Sequence, residues 1–161
     1  MPDELKYMTI IESGLNTRAQ SPAGAVGMWQ FMKTTGQMYG LTSNWYFDER
    51  MDYEKSTIAA SKFMKDLYKQ LGDWRLAIAG YNCGAGNVRK AIRNSGYSKD
   101  FWKIYPHLPK ETRGYVPQFM AVMYAMQYTN QHSFYGDTIQ YFPEVKTVTI
   151  NSYFNLEKFS E

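Results

Sequence analysis

The chain has 161 residues and a formal net charge of +3 at pH 7, and 44% of its residues are hydrophobic. This length suits one domain with a buried core, and the hydrophobic content argues against disorder. The basic residues are scattered, which argues against a nucleic-acid partner. One cysteine excludes an internal disulfide, and two histidines without ligand spacing indicate no metal site and no cofactor.

The first half of the chain is predicted to be helical, with one irregular stretch. Apolar residues spaced over positions 5–15 predict a first helix, which Gly14 is expected to end. A second helix is predicted over about 27–39, closed by Gly40. Residues 41–52 show no helical period and are rich in aromatic side chains.

The clearest periodicity follows this irregular stretch. Over 54–71 the apolar residues recur at intervals of three and four, which is typical of one buried helical face. Gly72 is expected to close this helix, and Asp73 to cap the next one, over about 74–81. A short helix over 87–94 should follow.

The last part of the chain is predicted to contain two further helices and an extended tail. A brief helix over 101–105 precedes a long one over about 111–131, in which Pro117 must lie in the first turn or introduce a kink. We therefore expect an all-α domain over 1–132 and a partly extended C-terminal extension or linker over 133–161. Alternation in the tail indicates an extended segment or short strand at Val145, Thr147, Val148, Thr149 and Ile150.

One carboxylate is placed where it could act as an acid. Glu12 follows Met8 and Ile11 on the first predicted helix. Apolar neighbours disfavour the charged form of a carboxyl group, which keeps a proton available near neutral pH. The alternative is an exposed surface glutamate, which helix geometry alone favours because most glutamates are exposed.

The residues around this carboxylate favour a catalytic role. Gly24 and Gly27 allow the backbone to approach a ligand closely, although such a pair also suits a simple tight turn. Gln30 and Asn82 can both donate and accept hydrogen bonds, as recognition of an N-acetyl group requires. The phenols of Tyr81 and Tyr115 could stack on a sugar or hold a carboxyl group.

Four blocks of sequence carry a resemblance to a known family. They are Glu12-Ser13, Gly24 through Gln30, Gly80-Tyr81-Asn82, and Glu111 through Pro117. In this order and spacing they resemble the lytic transglycosylases of the goose-type lysozyme superfamily, glycoside hydrolase family 23, over about residues 4–130. Met28 replaces a leucine of the family pattern and Gly80 an alanine, and we expect these changes to alter the shape of the cleft rather than the chemistry.

The resemblance implies a compact lysozyme-like helical domain with a substrate groove. It also implies cleavage of the β-1,4 bond between N-acetylmuramic acid and N-acetylglucosamine in peptidoglycan, with a 1,6-anhydro product. By the same resemblance Glu12 is the sole acid and base. The residues that match substrate-binding positions are Ser13, Ser21, Met28, Gln30, Met32, Tyr81, Asn82 and Tyr115.

Two other functions stay open from the sequence: a lysozyme-like hydrolase that uses water, and an inactive glycan-binding module. Ordinary glycosidases use two carboxylates, whereas the other candidates, Asp48, Glu49 and Asp52, lie in the irregular stretch and are expected to be exposed. The resemblance points to a monomer that binds peptidoglycan strands in the bacterial cell envelope, in the periplasm. Since the chain begins so close to Glu12, any membrane association is expected to come from segments that it lacks.

Overall fold

The structure is a computed structural model that describes residues 1–136 and Thr149. The described residues form α-helices and short 3-10 helices, with isolated β-bridges instead of strands, so the all-α prediction is confirmed. No helix among them is both long enough and apolar enough to cross a membrane. The α-helices are α1 (Met8–Ser13), α2 (Lys33–Met38), α3 (Tyr53–Leu71), α4 (Trp74–Cys83), α5 (Ala85–Asn94), α6 (Phe101–Ile104) and α7 (Lys110–Gln127). The 3-10 helices are Asp3–Tyr7, Glu49–Met51, Tyr105–His107 and Thr129–His132.

Helix α4 lies at the centre of the core and packs against α3, α5 and α7. Its residues Leu76 and Ala77 are fully buried, and burying one leucine side chain contributes about 1.5–3 kcal/mol. Gly80 faces α3, because a Cβ atom there would lie only 3.0 Å from a methyl group of Leu71 and 3.2 Å from one of Leu67. The glycine therefore affects how closely the two helices pack, and it does not face the cleft.

The predicted ends of the central helices agree with the structure. Helix α3 begins after Asp52, whose carboxylate accepts a hydrogen bond from the backbone N–H of Lys55, and it ends at Gly72 with φ +80°. The carboxylate of Asp73 then accepts from two backbone N–H groups at the start of α4. These caps satisfy helix-end groups that would otherwise be unpaired.

The predicted start of the second helix is wrong. Helix α2 begins at Lys33, and residues 24–31 form a loop, here called the glycine loop. Val26 and Phe31 exchange two backbone hydrogen bonds across this loop, both of 3.1 Å. Gly27 and Gln30 have φ values of +85° and +49°, which an α-helix cannot contain.

The C-terminal helix is shorter than predicted. Helix α7 ends at Gln127 and is followed by the 3-10 helix Thr129–His132. Pro117 lies inside α7 beyond its first turn. The predicted extended segment and most of the tail 133–161 lie outside the described residues, apart from 133–136 and Thr149, which is exposed. The boundary at residue 132 stays a prediction.

Candidate active site

The predicted acid lies at the contact between the first and last helices. Glu12 is partly buried in the last turn of α1, which Gly14 ends with φ +58°. Tyr115, buried on α7, donates a hydrogen bond from its phenol to Glu12 Oε1. The tertiary fold thus brings together two side chains separated by 103 positions in the chain.

The surroundings of Glu12 favour its protonated form. Burial raises the pKa of Glu12, and the hydrogen bond from Tyr115 opposes this shift in pKa. No charged group contributes to this pKa shift, so within the described residues no second carboxylate lies close enough to perturb the pKa of Glu12. Burial and the nearby Glu12 carboxylate raise the pKa of Tyr115, which therefore stays a neutral donor.

The raised pKa of Glu12 predicts how stability depends on pH. The folded state holds this proton more tightly than the unfolded state, so its stabilising contribution is complete below the ordinary pKa of 4.5 and is lost as pH rises through the folded-state pKa. We expect the free energy of unfolding of the wild type, relative to Glu12→Gln, to fall as pH rises above 4.5 and to level off once pH has passed the folded-state pKa. Urea titrations of both proteins measure this difference. A difference that rises with pH would contradict the shift.

Two predicted site residues hold the glycine loop in place. Ser13 Oγ donates to the backbone carbonyl of Met28 at 2.9 Å, which ties α1 to the loop. The phenol of Tyr81 donates to the carbonyl of Trp29 at 2.7 Å, which ties α4 to the same loop. Both hydroxyl groups are therefore engaged by backbone carbonyls.

Arg50 also holds the loop, although it is not among the site residues predicted from the sequence. It is buried, and its Nη1 donates to the carbonyls of Gly24 at 3.1 Å and Phe31 at 3.0 Å. Its Nη2 pairs with Asp48 at 2.6 Å. The spacing of Asp48 and Arg50 suggests only a local turn, and no sequence signal shows that the guanidinium reaches back to the loop.

The acidic residues of the irregular stretch were predicted to be exposed, and this prediction is wrong. All three are partly buried, and the carboxylate of each has a partner within the protein. Hydrogen bonding to the Arg50 guanidinium lowers the pKa of Asp48. Lys55, which pairs with Glu49 at 2.5 Å, and Thr42 lower the pKa of Glu49 to about 2. Asp52 caps α3. These carboxylates have structural partners, which does not favour a second catalytic acid among them.

Four of the predicted substrate-binding residues lie around one cavity of about 200 Å³, here called the cleft. Asn82 is exposed at its edge, and its Oδ1 accepts a hydrogen bond of 2.8 Å from the buried Thr112. The Asn82 side-chain nitrogen is thereby left to donate to a ligand. Thr112 lies in the last of the four motif blocks, although no pattern in the sequence predicts this role. The residues lining the cleft are Gln30, Phe31, Met32, Thr35, Phe63, Tyr81, Asn82 and Gly84.

The other predicted binding residues have different surroundings. Ser21 Oγ accepts from the backbone N–H of Ala25 at 3.0 Å. Met28 lines a separate, mainly apolar pocket beside Thr9 and Met126. Their roles in binding stay predictions. Within the part of the chain that the structure describes, no group of three or more His, Cys, Asp or Glu side chains could hold a metal ion.

The helical core that carries Glu12 has a lysozyme-like fold, and the comparisons with known proteins agree with this class. The chain belongs to the family described as "Transglycosylase SLT domain", whose profile matches residues 1–104. It is 44% identical over 126 residues to membrane-bound lytic murein transglycosylase D of Escherichia coli K12, covering 76% of this chain and 27% of that protein. It is 31% identical over 116 residues to the soluble lytic murein transglycosylase of the same strain, covering 68% of this chain and 18% of that protein.

A solved structure shows the same fold. The 70-kDa soluble lytic transglycosylase of Escherichia coli superposes with a TM-score of 0.66 at 27% identity, over 81% of this chain and 22% of that one. The chain thus spans about a quarter of the length of the first curated relative it matches.

Proposed function

We propose that this domain is a peptidoglycan lytic transglycosylase, which cleaves the β-1,4 bond between N-acetylmuramic acid and N-acetylglucosamine and forms a 1,6-anhydro product. The observation that carries the proposal is the pair formed by Glu12 and Tyr115: a partly buried acid with a raised pKa, which no other carboxylate among the described residues perturbs. Family membership and the murein-directed names of its relatives support the substrate class.

The proposed reaction uses one protein carboxyl group twice. Protonated Glu12 donates its proton to the glycosidic oxygen as that bond breaks, while the substrate's own N-acetyl oxygen stabilises the anomeric carbon. The Glu12 carboxylate then accepts the proton of the C6 hydroxyl, which attacks the anomeric carbon and displaces the N-acetyl oxygen. The proton balance closes, and Glu12 returns to its protonated form. Acid–base catalysis of this kind contributes about 10²–10⁴-fold.

The cleft supplies groups suited to the N-acetyl and sugar parts of such a substrate. Asn82 presents an amide N–H oriented by Thr112, and Gln30 presents a second amide beside it. The Gln30 nitrogen donates to the carbonyls of Gly27 at 2.8 Å and Ala19 at 3.3 Å, which orients this side chain and leaves its amide oxygen to accept from a ligand. Orienting a substrate in this way lowers the entropic part of the barrier.

The proposal places the protein in the bacterial cell envelope, in the periplasm, acting as a monomer on peptidoglycan strands. The names of the curated relatives support an envelope location. Membrane attachment, if the whole protein has it, is assigned to segments outside this chain.

Digestion of purified sacculi tests the proposed reaction directly. The released muropeptides are separated and weighed, and the anhydro product is expected to lack a reducing end. Products heavier by one water, with free reducing ends, would instead identify a hydrolase. Binding without any release of product would identify a glycan-binding module.

Tyr115→Phe is expected to lower kcat about ten- to a hundred-fold, while KM changes little. The loss follows because a hydrogen bond to a charged group contributes about 1.5–3 kcal/mol, and this one orients the acid. Since the bond from Tyr115 lowers the pKa of Glu12, its removal should also move the alkaline limb of the kcat profile to higher pH. A loss confined to KM, with an unmoved pH profile, would exclude this positioning role.

A further inference from the structure

A second groove lies next to the cleft, between the end of α2 and the middle of α3. Its volume is about 510 Å³, larger than that of the cleft, and three of the residues around it are lysines. We call it the lysine groove. It is lined by Met38, Tyr39, Gly40, Lys62, Lys65, Asp66 and Lys69.

The cleft and the lysine groove are neighbours along the same pair of helices. Phe63 lines the cleft and packs on the ring of Tyr81, with ring centroids 5.1 Å apart. Phe63 also packs on Tyr39, which lines the lysine groove, again with centroids 5.1 Å apart. The ring of Phe63 thus contacts residues of both cavities, which makes the lysine groove a neighbour of the cleft.

The lysine groove carries an excess of positive charge. Lys62 and Lys65 are exposed and have no ion-pair partner among residues 1–136. Lys69 pairs with Asp66 at 3.2 Å. The same carboxylate accepts a hydrogen bond of 3.4 Å from Tyr39. One negative charge thus faces three positive ones, and two ammonium groups are available to an anion.

We propose that the lysine groove binds the carboxylates of the peptides attached to the glycan strand. This inference rests on the proposed function, because the strand in the cleft is what brings a peptide to the groove. The cleft and the lysine groove differ in chemistry, as a neutral sugar differs from a charged peptide. The cleft offers amides and aromatic rings for a sugar, whereas the groove offers ammonium groups, which bind carboxylates and bind neutral sugars poorly.

The test compares glycan strands that carry their peptides with the same strands after an amidase has removed them. The double variant Lys62→Gln/Lys65→Gln is expected to raise KM for peptide-bearing strands about three- to ten-fold, with kcat unchanged, since exposed ion pairs contribute about 0.2–1 kcal/mol each. KM for peptide-free strands should stay within about twofold. The matched control is Lys90→Gln/Lys103→Gln, which removes two exposed lysines from α5 and α6 and lowers the net charge equally.

Three outcomes would overturn the inference. KM for both kinds of strand could rise together, the control variant could shift KM as much as the double variant, or neither variant could change KM. The first outcome would mean that the lysines bind the glycan itself. The second would mean that the change in KM follows from net charge and not from the position of the lysines.

Binding to beads that carry glycan strands, with and without their peptides, gives a readout that does not need turnover. If the domain proves to be a binding module, the wild type releases no product from either kind of strand. Its preference for peptide-bearing strands, and the loss of that preference in the double variant, still measure the groove. The preference should also weaken as salt screens the exposed lysines. Equal retention of wild type and double variant on peptide-bearing strands would reject the groove by itself.

Discussion

Glu12→Gln is expected to lower kcat on murein about 10²- to 10⁴-fold while binding is retained. Glutamine keeps the shape of the side chain and can still accept the hydrogen bond from Tyr115, but it has no proton to give and no carboxylate to take one back. Because no second carboxylate in the described part of the chain perturbs the pKa of Glu12, none of those residues is placed to take over its role. Release of soluble muropeptides measures the rate, and co-sedimentation with sacculi measures binding.

The matched control for this substitution is Glu111→Gln. Glu111 is exposed in the first turn of α7, on the helix that also carries Tyr115, so the same Glu-to-Gln change is made there without touching the acid. We expect the control to keep wild-type rates. Unchanged lysis by Glu12→Gln would reject a catalytic Glu12 and favour a binding module, whereas equal losses in both variants would show that the loss is not specific to Glu12.

Gly27→Ala is expected to destabilise the protein by at least about 4 kcal/mol, in the range of the most damaging single substitutions. A Cβ atom at Gly27 would lie 1.8 Å from the backbone carbonyl oxygen of Arg50, and φ is +85°. The clash is with backbone, so no side-chain rotation relieves it. Moving either segment would break the hydrogen bonds from Arg50 to Gly24 and Phe31.

Gly24→Ala separates the close contact from the backbone strain. Gly24 has nearly the same φ, +86°, but nothing lies within 4 Å of its Cβ position. Its substitution should therefore cost only the left-handed conformation, about 1–2 kcal/mol. Urea unfolding gives both free energies, and a Gly27→Ala cost no larger than that of Gly24→Ala would contradict the close approach. If Gly27→Ala yields too little folded protein for titration, the melting temperatures of the two variants are compared instead. That of Gly27→Ala should be the lower.

These two expectations concern the acid and the cleft, and neither Glu12 nor Tyr115 is among the residues that line the cleft. The acid depends on two helices that meet at Glu12 and Tyr115. The cleft depends on the glycine loop, whose carbonyls are held by Ser13, Tyr81 and Arg50. A substrate would find both parts already in place, and such preorganisation reduces the cost of ordering the site during the reaction.

Local sequence determined much of the helical framework, since helix ends depend on residues within one turn of each other. Gly72 adopts the left-handed conformation that closes α3, and Asp73 caps α4 as predicted. The same local reasoning failed at residues 27–32. Helical spacing continues through them, but pairing between Val26 and Phe31 holds the chain in a loop.

The sequence by itself also determined the family, through four motif blocks, and singled out Glu12 as the acid to test. Only the tertiary structure decided what surrounds that acid, because the partner on α7 is 103 positions away and no local period encodes the contact. The same holds for Arg50, whose guanidinium binds a carbonyl 26 positions earlier in the chain. Residue types and spacing specify helices and caps, whereas burial, and with it the pKa of Glu12, exists only once distant segments have packed together.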